Sequence, residues 1–136
     1  MSDRVVIKSA DHGAVLEFFA VDKTGSFRAR LRGEGFEGIV SVSPYQKLPG
    51  THIPAFFRDL ALHWRGWAGK KSWGSLDREF SLSATIDSTG HIHLDVELLG
   101  GPCYDWRLRG SLVIEAGQLD PIADQVERFV RLGHAA

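Results

Sequence analysis

The stretch Trp64–Leu76, WRGWAGKKSWGSL, decides how this chain folds. Three of its four tryptophans lie there, punctuated by glycines. Upstream, Ile53, Phe56, Phe57, Leu60, Ala61 and Trp64 recur at helical spacing, with Arg58, Asp59 and Arg65 on the opposite side. Pro54 suits the first position of a helix, where its missing N–H costs nothing, and Gly66 suits a left-handed end. Downstream the period changes from helical to two. The stretch therefore reads as a junction between an amphipathic helix and an antiparallel sheet.

The strands beyond it are the clearest in the chain. Phe80, Leu82, Ala84 and Ile86 alternate with Glu79, Ser81, Ser83, Thr85 and Asp87. After a turn at Ser88–Gly90, Ile92, Leu94, Val96 and Leu98 oppose His91, His93, Asp95 and Glu97. Two such runs around a short glycine-containing turn predict a hairpin. A further strand over Asp105–Glu115 places Trp106, Leu108, Leu112 and Ile114 inside, with Gly110 under a large ring. A second helix follows, with Asp120 as N-cap, Pro121 as first residue and a buried stripe of Ile122, Val126, Phe129 and Val130, ending at Gly133.

Working back from the junction, Pro44–Thr51 reads as a loop. Val5–Ile7, Ala14–Asp22, Phe27–Arg32 and Phe36–Ser43 read as strands. The run AVLEFFAVD is apolar on both parities and suits a strand covered on both faces. Phe27, Ala29 and Leu31 alternate with Arg28, Arg30 and Arg32, giving one apolar and one basic face. Gly38 marks a bulge or a close approach. The order is strands, helix, strands, helix. It predicts a single α+β domain over residues 1–136: a mainly antiparallel sheet of about 6–7 strands with both helices on one face and the other face solvated.

Composition narrows function only broadly. The 136 residues carry a net charge of −1, which draws the chain to neither nucleic acid nor membrane. The charge is uneven: residues 1–78 hold 12 basic and 8 acidic groups, and residues 79–136 hold 4 and 9. One cysteine, Cys103, forms no intrachain disulfide and fits a reducing cytoplasm. No leader-type apolar stretch or membrane-length run is present.

The candidate sites follow from the strand faces. His91, His93 and Asp95 share a parity, and alternate residues lie about 7 Å apart, so two imidazoles on one strand can reach one Zn²⁺. No CxxC or HExxH accompanies them. A metal-binding protein or hydrolase built on these three is one alternative. Asp95 and Glu97 lie on an open face with nothing to shift a carboxyl pKa for acid–base work. Arg28, Arg30 and Arg32, with Arg107 and Arg109 on the same sheet face, favour protein binding, because arginine is enriched at interfaces. Trp64 and Trp106 are expected in the core. Trp67 and Trp73 are expected to clamp helix to sheet, or else to flank a small-ligand site.

The pattern Trp64-x-Gly66-Trp67-x-Gly69, Trp73-x-Ser75-Leu76, Asp87-x-x-Gly90-His91-Ile92 and Glu115-Ala-Gly-Gln-Leu119 resembles a family of small bacterial single-domain proteins. Relatives of the WapI-type immunity proteins of polymorphic toxin systems are among them. The resemblance spans residues 56–130 and rests on aromatics and turns, so it transfers no catalytic residue. It implies a non-enzymatic cytoplasmic protein, without cofactor, that binds and blocks a toxin domain. The expected contacts are Arg28, Arg30, Arg32, His91, His93, Asp95, Arg107 and Arg109.

Overall fold

The computed structural model describes residues 4–43 and 52–135. Four strands, β1 (Val5–Lys8), β2 (Val15–Phe19), β3 (Phe27–Gly33) and β4 (Phe36–Val42), lead to helix α1 (Ile53–Leu62). Four more, β5 (Lys71–Gly74), β6 (Phe80–Ile86), β7 (Ile92–Gly100) and β8 (Trp106–Ile114), lead to a 3-10 turn and helix α2 (Leu119–Ala135). Among the described residues, the order four strands then a helix thus occurs twice.

The strands form two antiparallel sheets of four, ordered β1-β2-β3-β4 and β5-β6-β7-β8. This corrects the single sheet of about 6–7 strands. Alternation along each strand identifies an apolar parity but not which sheet carries it. Two helices are too few to cover eight apolar strand faces. The sheets instead turn those faces toward one core, with the helices completing it. The Arg28–Arg32 row and the Arg107–Arg109 pair consequently belong to different sheets with separate outer faces.

Phe18 on β2 shows how the pieces join. Fully buried, it touches Phe27 on β3, Phe57 on α1, Phe80 on β6 and Phe129 on α2, with ring centroids 5.2–6.5 Å apart. Burying such a side chain is worth about 1.5–3 kcal/mol, and ring pairs add to that. Gly38 and Gly110 let the sheets approach closely. A Cβ on Gly38 would lie 2.6 Å from Leu108 Cδ2, and one on Gly110 would lie 3.0 Å from Leu31 Cδ2. Gly38 thus marks a close approach, while Gly110 lies under a leucine rather than a ring.

The seams are also polar. Ala10 donates its N–H to the Val113 carbonyl at 2.8 Å, and Val113 donates to Ser9 Oγ at 2.8 Å. At the far side Ser43 donates its N–H to Glu79 Oε1 at 3.1 Å. The helices are tied by Arg58, which donates to Asp124 at 2.8 Å and Glu127 at 3.5 Å.

The tryptophans fall differently from expectation. α1 stops at Leu62, before Gly66, because the His63 N–H is shared between the Asp59 and Leu60 carbonyls and the backbone then leaves helical geometry. Trp64 is therefore off the buried stripe and half exposed, with the Arg65 guanidinium 5.2 Å from its ring centre. Trp106 sits at the open end of β8 and is 38% exposed. Trp73 is buried edge-on against Phe80, and Trp67 donates Nε1–H to the Ala84 carbonyl at 3.3 Å. Those two secure the junction. α2 begins at Leu119, so Asp120 lies inside its first turn, and it runs through Gly133 to Ala135. A Glu115–Gln118 capping box precedes it. The loop expected over Pro44–Thr51 lies outside the described residues.

Candidate functional site

The outer face of the first sheet is built around Glu17. Its carboxylate is on the outward parity of β2, yet the residue is only 3% exposed. Cross-strand pairing explains the cover. Glu17 lies opposite Arg30, with Arg32 and Arg28 on either side along β3. Arg32 Nε donates to Glu17 Oε1 at 2.7 Å, Arg4 Nη1 donates to Oε2 at 3.1 Å, and Arg30 Nη1 stands 3.8 Å from Oε2. Burial by itself would raise the Glu17 pKa. The hydrogen bond and charge of Arg32, the charge of Arg30 and the hydrogen bond of Arg4 outweigh it, and the carboxyl titrates below its ordinary range.

Phe19, next on the same parity, gives the arginines a second anchor. The guanidinium carbons of Arg30, Arg4 and Arg28 lie 4.7, 5.5 and 5.7 Å from its ring centre, within cation–π range. This accounts for the two-sided apolar run of β2: one face meets the core and the other lies beneath guanidinium groups. Val6, Val15 and Ile39 are half-buried on this face, so apolar surface is interleaved with the arginines. Arg4, Lys8, Arg28, Arg30 and Arg32 outnumber Glu17 and Glu37, leaving the face positive. Arg30 Nε is buried without a hydrogen bond, 3.8 Å from Glu37 Oε1.

The remaining candidates lie on the second sheet. Arg107 and Arg109 do not join the Arg28–Arg32 row; both pair with Glu97 across β7 and β8. Ser111 Oγ donates to Asp95 Oδ1 at 2.6 Å. His93 Nε2 donates to Asp87 Oδ2 at 3.0 Å, while His91 lies 2.7 Å from Thr89 Oγ1 and 3.2 Å from Glu115 Oε1. The Thr89 and His93 hydrogen bonds hold the Asp87 carboxyl well below its usual range. His91 and His93 thus turn to the Asp87–Thr89 turn and Glu115, while Asp95 turns to Ser111. Among the described residues, no group of three or more His, Cys, Asp or Glu side chains is arranged to hold a metal ion.

Sequence reasoning found the arginine row but missed its centre. The available signal was a lone glutamate inside an apolar strand that precedes a strand of alternating arginines. Among the described residues no helix is long and apolar enough to cross a membrane.

Fold and face together define a two-sheet α+β domain with a basic, partly apolar outer surface. The chain belongs to the Family of unknown function (DUF6228), which matches residues 7–133. A search of curated proteins finds no match. Among solved structures, the chain is similar to one from crystal structures of trypanosoma bruciei MRP1/MRP2, at 15% identity. That alignment covers 98% of this chain and 86% of the other, with a TM-score of 0.49.

Proposed function

We propose that the protein is a non-enzymatic protein-binding domain that docks an acidic partner on the outer face of its first sheet. In the form suggested by the WapI-type resemblance, the partner is a toxin domain, and docking in the cytoplasm neutralises it. One observation carries the reading: the three arginines of β3 and Arg4, just before β1, converge on Glu17 and Phe19 among half-buried Val6, Val15 and Ile39. Arginine, aromatic and aliphatic groups intermixed on a flat surface are the composition of an interface core. Glu17 and Phe19 hold the guanidinium groups in place before binding, which lowers the entropy cost of docking. The surplus positive charge selects an acidic surface and speeds its approach.

The second sheet's outer face supports docking less well, because Glu97, Arg107 and Arg109 satisfy one another there. The test is calorimetric binding to the product of the adjacent gene. Arg28→Ala combined with Arg32→Ala is expected to weaken binding by more than about tenfold, since a buried charged contact is worth 2 kcal/mol or more. Arg107→Ala combined with Arg109→Ala is expected to leave it within about twofold, the range for rim charges. Unchanged affinity in the first pair refutes this face as the interface.

A further inference from the structure

On the seam between the sheets, at the β4 edge of the arginine face, lies a second feature. β4 passes the β7–β8 end there and leaves a cleft of about 430 Å³ lined by Ser41, Ser43, Asp77, Glu79, Tyr104 and Trp106, among others. We propose that this cleft binds an organic cation, an ammonium or guanidinium group, held between the Glu79 carboxylate and the Tyr104 and Trp106 rings.

Glu79 is the first support. It is 7% exposed, comparable to Glu17, yet no cation among the described residues pairs with it. Its Oε1 accepts the Ser43 N–H at 3.1 Å, and its backbone carbonyl accepts the Leu99 N–H at 2.9 Å. The side chain is thereby tied to the end of the first sheet and the backbone to the second. A carboxylate offers about four acceptor positions, and the Ser43 N–H fills one. A buried charge is expensive without a counter-charge, and with none among the described residues a cation arriving from outside is its complement. Asp77 on the same cleft adds negative charge.

The aromatic wall is the second support and is independent of the first. Trp106 and Tyr104 are 38% and 50% exposed, large rings that a stability argument alone would bury. Both are held in place. The Trp106 ring lies on Gly100, where a Cβ would come within 1.9 Å of Cζ2. Tyr104 has φ 52°, the left-handed region disfavoured for a bulky side chain, and its N–H donates to the Gly101 carbonyl at 3.2 Å. Exposed rings beside a fixed carboxylate are the chemistry that recognises ammonium and guanidinium groups, through the negative ring face and a direct ionic contact. The volume is at the low end for ligand sites, suiting a headgroup or one side chain.

The full-length protein is titrated by NMR with choline, with N-acetyl-arginine amide, and with 3,3-dimethyl-1-butanol, the neutral shape analogue of choline. At least one cation is expected to shift the Trp106 indole N–H saturably, with the neutral analogue at least about tenfold weaker. Glu79→Gln, which keeps an acceptor for Ser43, is expected to weaken the cation by at least about tenfold. A response to choline alone identifies a free small cation, and a stronger response to the arginine amide identifies a partner's side chain. The proposal is overturned if neither cation shifts the indole, if the neutral analogue binds as well, or if Glu79→Gln binds unchanged. The choline comparison uses the wild-type chain and stands even if the variant misfolds.

Discussion

Phe18 on β2 and Phe80 on β6 meet edge to face at 5.7 Å, each fully buried, and through that contact the two sheets share one interior. The chain's two units are alike in order, yet neither apolar sheet face is covered by its own helix alone. Cutting the contact should therefore loosen both halves together. Phe18→Ala is expected to cost about 3–5 kcal/mol. Urea unfolding followed by tryptophan fluorescence and by far-ultraviolet circular dichroism should give coincident transitions in wild type and variant. Separate transitions would mean that the two units fold independently.

Glu17 gives a prediction with a definite pH sign. Its folded pKa lies below the ordinary value of 4.5. The stability it contributes is therefore fully present above the unfolded pKa and is lost as pH falls through the lower, folded one. Glu17→Gln removes a charged acceptor shared by Arg32 and Arg4 and is expected to cost about 1.5–3 kcal/mol at neutral pH. The difference between wild type and variant should shrink progressively below about pH 4.5. Urea denaturation at pH 7, 5, 4 and 3 measures it. A difference that grows on acidification would contradict the assignment.

Arg58 bridges α1 and α2, contacting Asp124, Glu127 and Asp120 within 2.8–3.6 Å. The group is partly solvated, so the network is worth little per pair, and salt screens it. Arg58→Ala is expected to cost about 1 kcal/mol at low salt and roughly half that in molar sodium chloride, read as the shift in urea midpoint.

The residues explain what sequence could and could not tell. Period-two alternation assigned the inward side chains of β3, β6 and β7 correctly, because a strand's two faces depend only on its own residues. Alternation carries no information on which sheet a strand joins. That is decided by long-range contacts such as Phe18–Phe80 and by inner glycines that admit the opposite sheet. Arg28 and Arg107 therefore looked like neighbours on one face. Trp64 was misplaced because a single capping residue, His63, ended α1 before the apolar spacing did. Trp106 was misplaced because its apolar parity was right but its position at the open end of the sheet was not visible. Glu79 read as a polar strand residue, whereas Glu17 lay inside a run read as apolar on both parities. Among the described residues, arginines enclose Glu17 and not Glu79, a difference set by neighbours far away in sequence.

Gly100 and Trp106 are cross-strand partners, and the glycine supplies the floor on which the indole rests. Gly100→Ala would set a Cβ 1.9 Å from Cζ2 and 2.1 Å from Cε2. The obstacle is a rigid ring, not a flexible chain end, so the ring must swing outward. Its partial exposure leaves room for that. The expected cost is about 1–3 kcal/mol, typical of overpacking. Gly100 is not in the left-handed region, so alanine is free of backbone strain there. Once Trp106→Ala removes the ring, Gly100→Ala should be neutral or stabilising by about 0.4–1 kcal/mol through the unfolded chain. The urea midpoints of the four proteins in this double-mutant cycle give the coupling directly. If Gly100→Ala costs the same with and without the indole, then the glycine serves the backbone of β7 rather than the seat of Trp106.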